Sequence, residues 1–251
     1  MVTVFDGSRL SRADLNIPLS VKGKYHTLNT LKTMLKSAEE DGALKRLPVF
    51  PRLPQATESD IEYISFEEQQ GVIGAIPERH RAVYEFGMEF GLRMGELRAV
   101  KKDCIGEHEL IVKRSFSQNE LMETTKTKRI RRLPLTERTL EIINRTPPSF
   151  SDFVFTYDGQ KPYTERQLRR IWKAACEKVG IKIHAKNAIR HSMGCQLLDE
   201  GVDLEMVRDL YGHTSTNTTR HHVHRSPARM KEALELRGRV IDIKKAKEEV
   251  R

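Results

Sequence analysis

The part of the sequence that decides the fold contains Asn-Ala-Ile-Arg-His at 187–191, Leu-Tyr-Gly-His at 210–213 and Arg-His-His-Val-His at 220–224. It is dense in arginine and histidine and lies in a basic, amphipathic part of the chain. Arginine forks stay charged and bind two oxygens at once, and imidazole adds single hydrogen bonds. The stretch is therefore typical of a site that holds phosphate.

The overall charge indicates the same kind of ligand. Among 251 residues, Lys and Arg number 44 and Asp and Glu 35, which gives a formal net charge of +9. A basic excess of this size favours a polyanionic partner such as nucleic acid, although a merely soluble basic protein has the same balance. The length suffices for one or two domains with a sizeable core.

The cysteines and the apolar runs restrict the compartment. Cys104, Cys176 and Cys195 are widely spaced and form no Cys-x-x-Cys pair, which predicts free thiols in a reducing compartment and no zinc site. No apolar run approaches the roughly 18 residues of a membrane span, and the first residues lack a signal-peptide pattern. These features predict a cytoplasmic protein that does not bind a membrane.

The chain begins with a segment that is small for an independent domain. Apolar residues recur at helical spacing between 28 and 38, and Gly42 follows where a helix C-cap belongs. Three prolines within 47–54 exclude a helix or a central strand and indicate a linker. We expect a helical segment with a Pro-rich linker at 1–54, a main domain at 55–226 and a charged helical tail at 227–251.

A second helical pattern, at 77–97, contains Arg93. Gly91 and Gly95 flank this arginine. Because glycine weakens a helix by about 1 kcal/mol relative to alanine, the two glycines indicate a bend or a close backbone approach. Glu96 is near enough to orient Arg93, unless the two form only a surface pair at i,i+3.

Residues 109–135 form the expected β part. Strand-like runs at 110–112 and 130–135 flank the polar stretch 126–129. The turn between them is a basic finger, which is either a solvated loop or aims one lysine at a phosphate. Its basic residues are Lys126, Lys128, Arg129, Arg131 and Arg132. We expect Lys128, Arg129 and Arg131 to bind DNA.

The rest of the main domain is predicted to be helical, apart from a short buried strand at 153–155. The helix that Thr164 caps contains Trp172, which we assign to the core rather than to base stacking. The same helix carries four basic residues on a possible DNA-facing side: Arg166, Arg169, Arg170 and Lys173. Further helices are expected from Ser65, from Thr136, at 187–200 and at 203–211. The predicted fold class is mainly α with a small antiparallel β-sheet (α+β).

Transfer of a phosphodiester sets clear demands on a site. Two non-bridging oxygens must be held as negative charge grows, an acid must protonate the departing oxygen, and a nucleophile must attack in line. Arg93, Lys126, Arg190 and His213 supply two forks, one acid and one further hydrogen-bond donor. Nothing resembles a cage of Asp and Glu, and the histidines at 221–224 match no standard metal spacing, so we expect neither a metal nor another cofactor.

Four motifs in this order resemble those of the tyrosine recombinase catalytic domain, the phage integrase family. They are the first-arginine motif at 91–97, the β-hairpin motif at 125–135 with Lys126 eight residues before its proline, the second-arginine box at 189–201 and the Gly-His box at 210–213. The resemblance implies the DNA breaking-and-rejoining fold, with double-stranded DNA as partner and a homotetramer on that DNA. It implies site-specific recombination or integration through a covalent 3′-phosphate link, and it makes the helix before Gly42 the last helix of a core-binding domain.

Two positions depart from the family pattern. Asn187 lies three residues before the second arginine, where the family has histidine, and His222 lies nine residues after the Gly-His histidine, where the family has its nucleophilic tyrosine. A neutral imidazole can also attack phosphorus. Three hypotheses therefore stay open: attack by His222, attack by another group in cis or in trans, and a descendant that binds DNA or a recombinase without cleavage. Tyr211 resembles a core leucine position, so we do not expect it to substitute.

Overall fold

The structure is a computed structural model that describes residues 20–50 and 62–213 together with Thr219 and Val223. The chain divides into two compact units, residues 1–60 and residues 61–251. None of the helices in these described ranges is long and apolar enough to cross a membrane.

The described part of the first unit contains helix α1 (Val21–Glu40). Ser20 caps its start, because its hydroxyl accepts a hydrogen bond from the Gly23 backbone N–H at 3.1 Å. Gly42 follows its end with a φ of +75°. The predicted helix and its glycine terminus are confirmed. The prolines of the expected linker at 51 and 54 lie outside the described residues.

The second unit is mainly helical and has two small antiparallel sheets, which confirms the predicted fold class. Ser65, Thr136 and Thr164 cap helices as predicted, each as part of a capping box. The elements are α2 (Phe66–Ala75), α3 (Arg81–Phe90), α4 (Met94–Arg98), β1 (Glu109–Val112), β2 (Ser115–Ser117), β3 (Glu120–Met122), β4 (Arg131–Pro134), α5 (Glu137–Asn144), α6 (Glu165–Val179), α7 (Ala185–Asp199) and α8 (Leu204–Tyr211), with short 3-10 turns at Glu78–His80 and Lys102–Cys104.

The single helix predicted around Arg93 is in fact two helices. Gly91 ends α3 in a left-handed conformation with a φ of +56°, and Arg93 is the N-cap of α4. A Cβ atom on Gly95 would lie 2.5 Å from the Phe116 carbonyl oxygen. The bend and the close backbone approach predicted from the two glycines are therefore both present, and Leu97 belongs to the second helix.

The predicted pairing of the two strand runs is confirmed, and a hairpin was missed between them. β1 pairs antiparallel with β4, with Val112 opposite Arg131. β2 pairs with β3 through a turn at Gln118 and Asn119, both with positive φ. The strand predicted at 153–155 was wrong. This segment makes one isolated bridge, between Phe153 and Lys101, although two of its residues are buried in the core.

The core of the second unit forms around α7, which contacts α2, α3, α6 and α8. Trp172 is a core residue, as predicted: its side chain is buried, and its indole N–H donates to the Ile183 carbonyl at 3.0 Å. Cys104 and Cys176 are buried free thiols, and Cys195 is buried as well. Because α7 is packed on several sides, its Arg190 is held by a rigid element.

Candidate phosphate-binding site

Arg93 is held at the start of α4 by the carboxylate of Glu96. The Arg93 guanidinium donates to Glu96 Oε1 at 2.8 Å, and the Arg93 backbone N–H donates to Oε2 at 3.0 Å. The Glu96 side chain is 1% exposed, whereas Arg93 retains 25% exposure. The pair is therefore not a surface pair, and the partly open arginine can still reach a ligand.

Arg131 holds the other side of the same carboxylate. Its Nη2 donates to Glu96 Oε2 at 2.5 Å, and its Nη1 donates to the Leu210 carbonyl at 2.7 Å. A Cβ atom on Gly212 would lie 2.4 Å from Arg131 Cδ, so the arginine packs closely on the end of α8. The prediction that Arg131 faces DNA with the other basic-finger residues was wrong, because β4 turns this side chain inward and buries it.

Glu96 stays ionised in this buried position. Burial alone raises the pKa of its carboxyl, but the charges of Arg131 and Arg93 outweigh burial, and the pKa lies below its usual value. Burial likewise lowers the pKa of Arg131, and Glu96 offsets part of that effect. The three side chains thus form one buried network of two cations and one anion.

Arg190 and His213 contact each other directly. Arg190 Nη2 lies 2.8 Å from His213 Nε2, and His213 Nδ1 lies 2.9 Å from the Thr219 hydroxyl. A guanidinium can only donate, so Nε2 must be the unprotonated nitrogen and Nδ1–H donates to Thr219. The imidazole is therefore neutral in this arrangement. Both side chains of the pair are buried.

Backbone carbonyls fix the rest of the Arg190 guanidinium. Its Nη1 donates to Gly91 at 2.7 Å and its Nη2 donates to Tyr211 at 3.0 Å. Burial, with a further contribution from the positive charge of Arg93, lowers the pKa of Arg190 to about 9. The side chain is still cationic at neutral pH. It lies between the ends of α3 and α8, where the two arginine motifs and the Gly-His box meet.

The turn that carries Lys126 is exposed. The Lys128 backbone N–H donates to the Thr125 carbonyl at 2.9 Å, and the Thr125 hydroxyl donates to the Arg129 carbonyl at 2.9 Å. Lys126 makes no hydrogen bond or ion pair with any residue that the structure describes, and Arg132 pairs with Glu109. Near this turn a cleft reaches His213; it is lined by residues 129–133, Asp209, Gly212 and His213.

The four basic residues predicted on α6 are all exposed on that helix: Arg166, Arg169, Arg170 and Lys173. Arg169 pairs with Glu165 at 2.5 Å, and Lys173 lies 3.6 Å from Glu177. Within the described ranges, no ion pair or hydrogen bond connects these residues to Arg190 or His213. They form a separate exposed set rather than part of the buried cluster.

Three further positions concern the departures from the family pattern and the missing tyrosine nucleophile. Asn187 on α7 donates through Nδ2 to Glu62 at 3.3 Å. His222 lies outside the described residues, as do the neighbouring His221 and His224. Tyr211 is fully buried, as predicted, and its hydroxyl donates to the Arg190 carbonyl. Burial raises the pKa of its phenol, and it is therefore unsuited to attack a phosphate.

Two functional contacts were missed by the sequence reasoning. Arg131 was grouped with the basic finger, although alternation along β4 places it on the inward face with Leu133. The partnership of Thr219 with His213 was also not foreseen. No group of three or more His, Cys, Asp or Glu in the described residues could hold a metal ion.

A mainly helical domain with a small sheet, two arginines and a histidine at one junction has the fold of the tyrosine recombinase catalytic domain. Residues 57–244 match the phage integrase family. The chain belongs to this family.

Several relatives are similar over most of this chain. The XerC-like tyrosine recombinase of Caldanaerobacter subterraneus subsp. tengcongensis is 26% identical, covering 76% of this chain and 59% of the relative. The integrase of a Salmonella phage is 22% identical, covering 86% and 57%. This chain thus spans less than two thirds of the length of these two relatives.

Solved structures show the same fold. The Tn1549 transposon integrase in complex with transposon right end DNA has a TM-score of 0.71 at 15% identity, covering 88% of this chain and 81% of that one. The XerH site-specific recombinase bound to difH substrate has a TM-score of 0.60 at 17% identity, covering 86% and 65%. At such low identities the likeness concerns the fold alone.

Proposed function

We propose that this chain acts in site-specific DNA recombination or integration, binding duplex DNA and holding one backbone phosphate between Arg93, Arg190 and His213. The observation that carries the proposal is the direct contact of Arg190 with His213 at the junction of three motifs. A phosphate is the ligand that two guanidinium forks and an imidazole bind best. The relatives named above, two of them solved with DNA, support the same ligand class.

Each side chain has a distinct role in the proposal. Arg93 and Arg190 bind the two non-bridging oxygens through their guanidinium N–H groups. His213 donates a further hydrogen bond to one of these oxygens in the form whose Nε2 carries a proton. Lys126, on its exposed turn, reaches the departing deoxyribose oxygen and protonates it. Glu96 and Arg131 position Arg93 without contacting DNA.

The wider surface of the protein completes the proposed DNA contact. Lys128, Arg129 and the basic side chains of α6 neutralise phosphates that flank the site. On DNA the chain forms a homotetramer. The segment at 1–54 acts as a core-binding part with a linker ahead of the catalytic-like domain at 55–226. The helical tail expected at 227–251 lies outside the described residues.

The proposed function has two forms, which differ in whether the protein forms a covalent bond with the DNA. In the first, His222 or another group attacks the phosphate and forms a covalent 3′-phosphate link. In the second, the chain grips DNA or joins a recombinase assembly without cutting. The identity of residue 222 and the buried state of Tyr211 favour the second form, because no accessible tyrosine occupies the described part of the site.

A salt titration of duplex binding tests the shared part of the proposal. Phosphate neutralisation releases counterions, so the logarithm of the binding constant should fall linearly with the logarithm of the salt concentration. Arg93→Ala and Arg190→Ala should each weaken binding and reduce the slope. A binding constant that does not change with salt concentration would rule out both forms.

A nicked suicide duplex separates the two forms. Covalent adducts are detected on denaturing gels with the wild-type chain, His222→Ala and His222→Tyr. A wild-type adduct that is lost in His222→Ala identifies His222 as the nucleophile, and one that survives points to another group. No wild-type adduct but an adduct with His222→Tyr indicates a preserved site that lacks its nucleophile.

A further inference from the structure

Tyr211 and Arg190 make three separate contacts. The guanidinium carbon of Arg190 lies 4.0 Å from the centre of the Tyr211 ring. The Tyr211 hydroxyl donates to the Arg190 backbone carbonyl, and the Tyr211 carbonyl accepts from Arg190 Nη2 at 3.0 Å. The tyrosine therefore contacts both the backbone and the charged end of the arginine.

Two glycines leave the space that this ring occupies. A Cβ atom on Gly91 would lie 2.6 Å from Tyr211 Cε1, and a Cβ atom on Gly194 would lie 2.4 Å from the Tyr211 hydroxyl oxygen. The ring itself is fully buried. The position is thus built for an aromatic side chain of this size, and the ring cannot move aside without shifting α7 or the end of α3.

We propose that Tyr211 is a positioning residue that holds the Arg190 guanidinium in the orientation in which it binds phosphate. An arginine side chain has many rotamers, and a cation over an aromatic face is attracted to the ring. The attraction of the ring acts together with the hydrogen bonds from the guanidinium to the Gly91 and Tyr211 carbonyls, so the three contacts restrict the orientation of the guanidinium. This inference rests on the proposed function of Arg190.

The test compares two substitutions of Tyr211 with a matched buried tyrosine. Tyr211→Leu removes the ring and the hydroxyl, and Tyr211→Phe keeps the ring. Tyr84→Phe is the control, because Tyr84 is also fully buried and its hydroxyl donates to the carbonyl of Leu168 at 2.6 Å rather than to that of Arg190. Arg190→Ala alone and in combination with Tyr211→Leu completes the set. Folding of each variant is checked by circular dichroism and urea unfolding.

Duplex binding against salt concentration is the readout. Removal of one phosphate contact makes the negative slope of the logarithmic plot less steep by about one. We expect this loss, with about tenfold weaker binding, for Arg190→Ala and for Tyr211→Leu. Tyr211→Phe should lie between Tyr211→Leu and the wild type, and Tyr84→Phe should bind like the wild type. In the Arg190→Ala background, Tyr211→Leu should add nothing.

Three outcomes overturn the inference. They are an unchanged slope in folded Tyr211→Leu, an unchanged slope in Tyr211→Phe if the leucine variant does not fold, and additive effects of Tyr211→Leu and Arg190→Ala. A wild-type chain that binds no DNA overturns the proposed function instead. In that case the same double-mutant cycle, measured as free energies of urea unfolding, decides whether Tyr211 holds Arg190. Additive losses of stability for Tyr211→Leu and Arg190→Ala would also overturn the inference.

Discussion

Glu96 and Arg131 form a buried ion pair, with 2.5 Å between Oε2 and Nη2, that joins the first-arginine motif to the sheet. Because Glu96 also accepts two hydrogen bonds from Arg93, one carboxylate orients the arginine that we assign to phosphate binding. Arg131 in turn donates to the Leu210 carbonyl at the end of α8. The position of Arg93 is therefore mechanically linked to the loop that carries His213.

Replacement of Glu96 by Gln should destabilise the protein strongly. The amide keeps the shape of the side chain but leaves the charge of buried Arg131 without a partner, and breaking a buried pair in this way costs about 3–5 kcal/mol. Urea unfolding measures the loss. Glu165→Gln is the matched control, because its pair with Arg169 is exposed and should contribute less than about 1 kcal/mol. Equal losses for the two variants would contradict the prediction.

The contribution of Glu96 should also depend on pH in the acid range. The carboxyl has a lowered pKa in the folded state, chiefly because Arg131 and Arg93 outweigh the effect of burial. Its stabilisation is thus fully present above the unfolded pKa of about 4.3 and is lost as the pH falls through the lower folded value. The difference in the free energy of unfolding between wild type and Glu96→Gln should shrink below pH of about 4. If the difference in the free energy of unfolding stays constant to the lowest pH at which the protein folds, the ionised Glu96 carboxylate is not the source of the stabilisation.

The sequence predicted candidate-site residues that lie within single motifs, but it did not predict the contacts between motifs. Arg93, Arg190 and His213 stand out because each lies in a short motif that resembles one of the family's motifs, and such a motif is a local feature of the sequence. Arg131 faces the interior because β4 pairs with β1 and because its guanidinium donates to the carbonyl of Leu210, 79 residues further along the chain. Such contacts follow from tertiary packing, which local patterns do not encode. The β2–β3 hairpin was missed because its strands are only three residues long.

Gly194 should not tolerate even one methyl group. A Cβ atom there would lie 2.2 Å from Val223 Cγ1 and 2.4 Å from the Tyr211 hydroxyl oxygen. Overpacking of this kind typically costs about 1–3 kcal/mol, so Gly194→Ala should lower the urea midpoint. Tyr211→Phe, which removes the hydroxyl, should recover part of the loss.

A second glycine in a helix provides the control for this prediction. Gly71 lies inside α2, and a Cβ atom there would have no neighbour within 4 Å. Gly71→Ala should therefore raise the free energy of unfolding by up to about 1 kcal/mol through helix propensity. If Gly194→Ala is as benign as Gly71→Ala, the close packing around Tyr211 is not real.

The exposed basic side of α6 should matter for DNA affinity through charge alone. Arg170→Glu reverses one charge on that side. Lys178→Glu reverses an exposed charge that lies about 130° around the same helix from the mean direction of the four basic side chains. We expect Arg170→Glu to weaken duplex binding and to flatten its salt dependence, since a phosphate contact becomes a repulsion. Lys178→Glu, with the same change in net charge, should have a much smaller effect. Equal effects of the two would mean that net charge, and not a DNA-facing side of α6, governs affinity.

Lys126 should act on the departing oxygen and on nothing else. Its side chain is exposed and makes no ion pair or hydrogen bond within the described residues. Lys126→Ala should therefore leave urea unfolding unchanged and should weaken DNA binding only slightly. Adduct formation on a nicked suicide duplex should fall by about 10²–10⁴-fold, the usual contribution of a general acid. Lys128→Ala, in the same turn, should weaken duplex binding but retain the rate of adduct formation when the duplex is saturated with protein. If the wild-type chain forms no adduct, the His222→Tyr background supplies the reaction.

A modified substrate separates proton donation from simple positioning by Lys126. When sulfur replaces the bridging oxygen of the leaving group, the departing thiolate has a conjugate acid with a pKa of about 8.5 and needs little help from an acid. The Lys126→Ala variant should therefore cleave the sulfur-containing duplex nearly as fast as the protein that retains Lys126. Arg190→Ala should remain slow on both substrates, because its guanidinium stabilises the phosphate oxygens rather than the leaving group. A Lys126→Ala variant that is equally impaired on oxygen and sulfur substrates would show that this lysine binds the phosphate instead of donating a proton.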